Sequence, residues 1–545
     1  MGGSIPNSAR NTKAVWGEEV RVTQNATAGE VELQCRQAHG AFEALSKMAP
    51  EGRAGLLEAI AAALDAKHDT ILRTCAEETA LTIDELTPEF VRMTGTLRMF
   101  AGVVREGSWV RAAIDTPSQQ SLGPSHDVRR MLVPLGPVAV FGSSNFPLAY
   151  GVCGGDTASA LAAGCPVVVK EHPAHPRTGR MIAEIAQEAI RAAGFLGDLL
   201  GYLHNENPKD FSVARELVQH PRTAAVGFTG SIAGGLAIEN LARDRKSRDR
   251  ASWNDSDPGK HDRIPVYAEM GSMNAVVVLR HAARNRLEQI ADDIAASVLA
   301  RHGQQCTKPG MVIIGGYEEA ERFYAALCAR FSAAMPRRML APWIADTFRS
   351  RLAEIVDTGI VEARSDHQLP VLSDADLVRP VALFLQAVSA EDEPDVWEEV
   401  FGPAVIVCAA GHLAMGWPFI PNALTATLIA DPEDFLDADE DALDDAWLGE
   451  SSRILYSLGQ RAGRIIFNGV PTGVRVAHGM VHGGPFPATN RPDTTAVGPC
   501  AIERWCRPVC FQNCPDGLLP AELRNGNPRG IRRTLNGTRC KASVA

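Results

Sequence analysis

The sequence contains no run of about 18 uncharged apolar residues, the length a helix needs to cross a bilayer. Its opening segment, Met1 to Arg10, is polar, with Gly, Ser and Pro. It lacks the apolar stretch of a secretory leader, so a cytoplasmic location is expected. An excess of basic charge is also missing. The formal net charge is -11, which disfavours nonspecific binding to nucleic acid or to anionic membranes but leaves room for a local basic pocket. There is no internal repeat and no disulfide framework. The 12 cysteines are scattered, and in a large cytosolic chain most are expected as reduced thiols. Cys506, Cys510 and Cys514, flanked by Cys500 and Cys540, have gaps that suit zinc ligands. No partner pair of Cys or His follows them, and Pro508 and Pro515 interrupt any helix that would align them, so no metal is expected.

The 545 residues exceed what one core usually serves, and two or three domains are expected. Apolar residues make up 45% and charged residues 22%, as in an ordinary globular enzyme. Residues 40–80 carry Ala54, Leu57, Ile60, Leu64 and Ile71 at helical spacing. From Met131 the texture changes. An apolar segment over 133–141 ends in Gly142-Ser143-Ser144-Asn145-Phe146-Pro147. A small-residue helix, a strand over 165–170, a helix over 178–193, a strand over 199–203 and a helix over 210–219 lead to a strand and turn at 224–230. Strands alternating with helices imply a parallel sheet covered on both faces. A second alternating block runs over 274–407. The segment 243–263 is charged and aperiodic and is expected as an exposed loop; 431–447 is acidic and expected to be solvated; the tail after Asn525 is polar and basic and expected to be poorly ordered.

Five segments carry residues with chemistry. Gly303-Gln304-Gln305-Cys306-Thr307 follows an amphipathic stretch over 287–300 and precedes a strand at 310–314. A cysteine there can be a nucleophile if exposed and activated; on this motif alone, a buried structural thiol is the commoner case. Glu269 ends an apolar strand in Tyr267-Ala268-Glu269-Met270-Gly271-Ser272. Burial raises a carboxylate's pKa towards that of a working base, while the plainer alternative is an ion-paired edge residue. Asn145 offers an amide donor for a developing oxyanion, or simply a turn before Phe-Pro. Phe228-Thr229-Gly230-Ser231, with Gly235 following, reads as strand, turn and helix start, which is an anion site, although the Gly-x-Gly-x-x-Gly fingerprint is absent. Glu398-Glu399-Val400-Phe401-Gly402-Pro403 places an acid and an aromatic two apart, suited to a ribose and a nicotinamide ring, or to a plain acidic turn.

Arranged in chain order, the five segments resemble the aldehyde dehydrogenase superfamily over about residues 30–520. The resemblance narrows at Leu135-Gly136-Pro137-Val138-Ala139-Val140-Phe141, Gly154-Gly155-Asp156-Thr157-Ala158, Gly227-Phe228-Thr229-Gly230-Ser231, Phe467-Asn468-Gly469-Val470-Pro471-Thr472-Gly473 and His482-Gly483-Gly484-Pro485. These are similar to the branch of α-ketoglutaric semialdehyde (2,5-dioxopentanoate) dehydrogenases and NADP-dependent fatty aldehyde dehydrogenases. The resemblance implies an α/β fold of two Rossmann-like parallel-sheet domains plus a β oligomerisation arm. The implied division is a cofactor-binding domain over 1–115 and 133–268, a catalytic domain over 269–466, and an arm with C-terminal extension over 116–132 and 467–545. It implies Cys306 as nucleophile, Glu269 as general base and Asn145 as oxyanion donor. Lys170 would contact the adenosine ribose, Gly230, Ser231 and Gly235 the pyrophosphate, and Glu399 and Phe401 the nicotinamide riboside. The implied partners are a small aldehyde substrate and a second copy of the chain, as homodimer or homotetramer.

Many members that prefer NAD carry Glu three residues after the lysine; here that position is Pro173, so no carboxylate opposes a 2′-phosphate, and NADP is the expected cofactor ahead of NAD. A semialdehyde acid needs a cation for its distal carboxylate, for which Arg301, Arg475 and Arg507 are candidates. The alternatives are a long-chain aldehyde as substrate, a CoA-dependent acylating enzyme, which has no need of Glu269, or a non-catalytic protein that kept the fold.

Overall fold

The computed structural model describes residues 25–118, 123–195, 197–245, 263–359, 361–362, 377–385, 398–410, 420–435 and 450–544. Most of the loop expected over 243–263 and of the acidic segment over 431–447 lies outside them. Among the described residues no helix is long and apolar enough to cross a membrane.

Four helices open the chain: α1 (Ala28–Lys47), α2 (Pro50–Asp65), α3 (His68–Thr79) and α4 (Ile83–Glu106). The helical period expected over 40–80 is thus three helices. Pro50 has no N–H to donate and starts a new helix at its first position, where none is needed. Thr27 and Thr82 each head a capping box with the Glu three residues on, which fixes where α1 and α4 begin. Two short strands follow, β1 (Ala113–Asp115) and β2 (Val128–Pro134).

The next five strands form one parallel sheet: β3 (Val138–Phe141), β4 (Val167–Lys170), β5 (Leu200–Leu203), β6 (Ala225–Thr229) and β7 (Val266–Glu269), in the order β5-β4-β3-β6-β7. Helices α5 (Gly155–Ala163), α6 (Pro176–Ala192), α7 (Ser212–Gln219) and α8 (Ile232–Arg243) cross between them. One face of the sheet buries Val138, Val140, Val167 and Val169 with α2, α4, α5 and α6. The other buries Ala139, Phe141, Val168 and Val226 with α1, α7 and α8. Burial on both faces is why these strands read as continuous apolar runs. The strand order reverses between β3 and β6, and a ligand crevice is expected where the loops leave the carboxyl ends of those two strands. The apolar segment over 133–141 is not one strand: Gly136, at φ +137°, turns the chain from β2 in one sheet to β3 in another.

A second sheet is built from β8 (Asn274–Val278), β9 (Pro309–Gly315), β11 (Val361–Glu362), β13 (Val381–Leu385), β14 (Ala404–Ala410), β15 (Ala423–Ile429) and β16 (Ala462–Phe467), in the order β11-β13-β14-β9-β8-β15-β16. Only the edge strand β11 is antiparallel. A two-stranded ladder, β10 (Arg337–Arg338) with β12 (Leu377–Val378), stands apart. Helices α9 (Arg280–Leu299) and α10 (Tyr317–Ala333) cover one face, and α11 (Pro342–Asp357) and α12 (Glu450–Arg461) the other.

The third sheet closes the chain on itself. Here β17 (Cys506–Gln512), β2, β1, β18 (Arg533–Leu535) and β19 (Thr538–Cys540) run in that order, and β1 pairs with β18 in parallel. The tail after Asn525, expected to be poorly ordered, is therefore structured. Its polar residues are used: Arg533, 2% exposed, donates to the carbonyls of Arg524 and Ala542, and Asn527 to those of Ile531 and Lys541. Cys506 and Cys510 lie on strand β17, and Cys514 lies beyond its end.

Candidate active site

At the reversal point, β3 runs into Gly142. A side chain on Gly142 would meet the Tyr150 carbonyl at 2.7 Å, so the loop that follows packs tightly on itself. Glu89 of α4 reaches up from below and accepts the N–H groups of Leu148 (2.7 Å) and Ala149 (3.0 Å). Arg301 holds the same loop from the other side. Its Nη2 donates to Glu89 Oε2 at 2.6 Å and to the Asn145 carbonyl at 2.8 Å, and its guanidinium lies 4.4 Å above the Phe146 ring. Arg301 is thus spent on the protein and is no free cation for a substrate. Arg475 and Arg507 are exposed and do not line the cleft described below.

The cysteine loop begins where α9 ends. Arg301, His302 and Gly303 are consecutive left-handed residues, at φ +49°, +56° and +70°. Non-glycine residues in that region cost on the order of 1–3 kcal/mol each, and surrounding bonds must hold them. Gln304 supplies one, taking the N–H of Leu340 at 2.9 Å. Asn274 supplies two more, donating to the carbonyls of Cys306 (2.8 Å) and Lys308 (2.9 Å). Gly303 lies so close to Gly402 that a Cβ would come within 2.3 Å of the Gly402 carbonyl, which ties this loop to the one bearing Glu399 and Phe401. Asn145 Nδ2 donates to the Gln304 carbonyl at 3.0 Å, so its amide sits beside the cysteine loop.

Glu269 ends β7 and is 4% exposed. Its Oε2 lies 3.2 Å from Nδ1 of His482, and Nε2 of that same ring lies 3.5 Å from Cys306 Sγ. Sulfur, imidazole and carboxylate thus form one line. Burial alone would lower the pKa of His482. Tyr150, Cys306 and Glu269 outweigh it and raise the value well above the ordinary one. His482 is the residue sequence reasoning missed. It stands in the His-Gly-Gly-Pro segment, and the only signal was a lone His beside two glycines. That signal becomes chemical only in space, because 176 residues separate it from Cys306.

All of these groups open onto one cleft of about 790 Å³. Asn145, Lys170, Gly230, Ser231, Glu269, Cys306, Glu399, Phe401 and His482 line it. Ser231 caps α8, its hydroxyl accepting the Gly234 N–H at 3.1 Å, so the helix N-terminus points its unpaired N–H groups at the cleft. Gly235 does not line the cleft. It lies on the side of α8 facing β7, where a Cβ would meet Met270 Sδ at 2.5 Å, so a larger residue would have to displace the Met270 side chain. Burial pulls Lys170 down to about 8, opposed by neighbouring Glu171. The Glu171 carboxylate turns inward, accepting the Tyr202 hydroxyl (2.8 Å) and the Asn205 N–H (3.2 Å).

A doubly wound sheet with a Ser231-capped helix start at its reversal point, joined to a second parallel sheet across a shared cleft, is an arrangement suited to a dinucleotide-dependent enzyme. Residues 6–414 match the model of the aldehyde dehydrogenase family, and the chain belongs to that family. It is 37% identical to an alpha-ketoglutaric semialdehyde dehydrogenase of Acinetobacter baylyi, over 94% of this chain and 92% of that protein. It is 39% identical to alpha-ketoglutaric semialdehyde dehydrogenase 2 of Azospirillum brasilense, with the same coverage of each. Among solved structures, betaine aldehyde dehydrogenase of Staphylococcus aureus in complex with NAD+ superposes with a TM-score of 0.72 at 17% identity, covering 90% of this chain and 89% of that one. The protein is an NAD(P)-dependent oxidoreductase acting on aldehydes. The α/β fold expected from the sequence holds. His482 lies beyond the matched span.

Proposed function

We propose that the protein oxidises α-ketoglutaric semialdehyde (2,5-dioxopentanoate) to 2-oxoglutarate through a thioester on Cys306, with NADP preferred over NAD. The observation that carries the chemistry is the line of contacts from Cys306 through His482 to Glu269, inside the cleft that Asn145 also lines. The similarity to two proteins that bear the semialdehyde's name supports the substrate.

The residues present fit a dinucleotide. The α8 start offers N–H groups to a pyrophosphate, and Glu399 Oε1 is buried with no partner of its own, as suits a carboxylate that accepts ribose hydroxyls. Lys170, Ser231 and Glu399 would hold the cofactor. The charge pattern supports NADP: Lys170 and Arg215 line the cleft, Pro173 occupies the position of the discriminating carboxylate, and Glu171 is turned away.

Cys306 thiolate attacks the aldehyde carbon and forms a tetrahedral thiohemiacetal. His482, with Nε2 3.5 Å from the sulfur, is placed to help activate Cys306. The new oxyanion is held by the Asn145 amide; one such donor typically contributes about 3–4 kcal/mol to lowering the barrier. The bound nicotinamide supplies the hydride acceptor. Collapse leaves a thioester on Cys306. Glu269 then takes a proton from water as it attacks that carbonyl, and Cys306 leaves as thiolate. Glu269 ends β7 of the first parallel sheet, Cys306 lies between α9 and β9 of the second, and His482 lies in the segment after β16. The arm sheet, whose edge strand β17 is largely exposed, supports assembly as a homodimer or homotetramer.

The test is a panel of aldehydes run with NAD and with NADP, including 2,5-dioxopentanoate, betaine aldehyde and a long-chain aldehyde. The expected result is the highest kcat/KM for 2,5-dioxopentanoate with NADP. A long-chain aldehyde preferred at least about tenfold, a 1.4 kcal/mol difference in transition-state binding, overturns the substrate.

A further inference from the structure

With Arg301 spent on the protein and Arg475 and Arg507 outside the cleft, a semialdehyde acid still needs a cation for its distal carboxylate. Helix α4 supplies one. Glu89 and Arg92 stand three residues apart, a spacing that puts two side chains on one helix face. Both reach the loop after β3. Glu89 takes the N–H groups of Leu148 and Ala149, and the next residue, Tyr150, is held by its side chain. Arg92 Nη2 donates to the phenol oxygen at 2.7 Å, with the guanidinium 5.0 Å from the ring centre. A tyrosine oxygen that accepts a bond still has its own proton to donate. No group among the described residues receives that proton, and no carboxylate among them pairs with Arg92. Glu89, the acid one turn away, is committed to Arg301.

Tyr150 lines the cleft that also holds Cys306. Its ring lies 6.1 Å, centre to centre, from His482, whose Nε2 is 3.5 Å from Cys306 Sγ. The ring is therefore one side chain removed from the nucleophile. A five-carbon chain spans roughly 5 Å from aldehyde carbon to carboxylate carbon when extended, which is the scale of that separation.

We propose that Tyr150 and Arg92 recognise the distal carboxylate of the substrate: the phenol O–H donates to it, and the guanidinium behind the phenol supplies the opposing charge. This rests on the reading of the substrate as a semialdehyde acid and names the groups that select it. A hydrogen bond to an ionised acceptor is stronger than a neutral one, and a cation on the phenol oxygen polarises the donor further. An aldehyde that ends in a methyl group gives the proton no acceptor and the charge no partner, so the pair discriminates by chain end and not by chain length.

The test compares 5-oxopentanoate with pentanal, aldehydes of equal chain length that end in a carboxylate and in a methyl group, and reads the ratio of their kcat/KM values in the full-length protein. Arg92→Gln keeps a donor for the phenol oxygen and removes the charge; Tyr150→Phe keeps the ring and removes the O–H. Melting curves check that each variant folds. The native ratio is expected to favour 5-oxopentanoate at least about tenfold, and each variant to cut that ratio at least about fivefold, mainly through a higher KM for the acid. A ratio unchanged in either variant, whether or not overall activity falls, means that the pair only packs the loop, and overturns the proposal. A native ratio near one shows instead that the semialdehyde-acid reading has failed, and the proposal falls with it.

Discussion

Arg301→Met removes the guanidinium that clamps the Asn145 loop and leaves a side chain of similar length. Four things are lost: the ion pair to Glu89 at 2.6 Å, the bonds to the Asn145 carbonyl at 2.8 Å and the Glu85 carbonyl at 3.0 Å, and the stacking on Phe146 at 4.4 Å. Glu89 is 4% exposed and keeps only the N–H groups of Leu148 and Ala149. Removing one partner of a buried pair costs about 3–5 kcal/mol, chiefly because the other charge stays buried. The desolvated cation–π contact adds up to about 2 kcal/mol. Urea unfolding followed by fluorescence and by activity should therefore give a clearly lower midpoint. Glu89→Leu combined with Arg301→Met removes the stranded charge and should recover part of the loss. Activity should fall further than stability explains, because the freed loop carries Asn145. A single variant within about 1 kcal/mol of the native protein, the worth of an exposed pair, refutes the buried-clamp account.

His482→Gln removes the ring nitrogen 3.5 Å from the sulfur, and inactivation by iodoacetamide at pH 7 should slow about tenfold. The raised pKa of His482 means that the folded state keeps a proton the unfolded chain gives up. Its contribution to stability is full below pH ~6.5 and fades as pH climbs through the raised value, so the melting gap between native and variant should narrow with rising pH. His302 behaves oppositely. Burial, with Arg337 beside it, lowers its pKa to about 4, and the neutral ring bonds the Val378 carbonyl at 3.0 Å. Its contribution is present above pH ~6.5 and is lost as pH falls towards 4, by up to about 3 kcal/mol, so His302→Gln should flatten the acid side of the stability curve.

The parallel sheets were legible because strands buried on both faces write apolar runs, and the turns after β3 and β6 write their own small residues. Asn145, Glu269 and Cys306 could be named because each ends or follows such a run. His482 could not be given a role, since its neighbours are loop residues and its partners come from β7 and the cysteine loop. The clamp of Glu89 on Arg301 was hidden for the same reason: the two stand 212 positions apart, and nothing local distinguishes an α4 glutamate that points inwards. The tail was misjudged because polar composition implies disorder only when the polar groups face water. Here Arg533 and Asn527 bond to backbone carbonyls and pin short strands onto β1. Gly235 shows the converse: its place after the turn suggested a ligand contact, while its missing side chain serves helix packing.

The central claim is a covalent thioester on Cys306 that Glu269 discharges. The most direct measurement mixes the Glu269→Gln protein with 2,5-dioxopentanoate and NADP+, quenches in acid and maps the adduct by peptide mass spectrometry. A thioester at Cys306 gives one reduced cofactor per site in a burst and an acyl group on the peptide containing Cys306. A burst with the acyl group on another residue, or steady turnover at the native rate with none trapped, contradicts it.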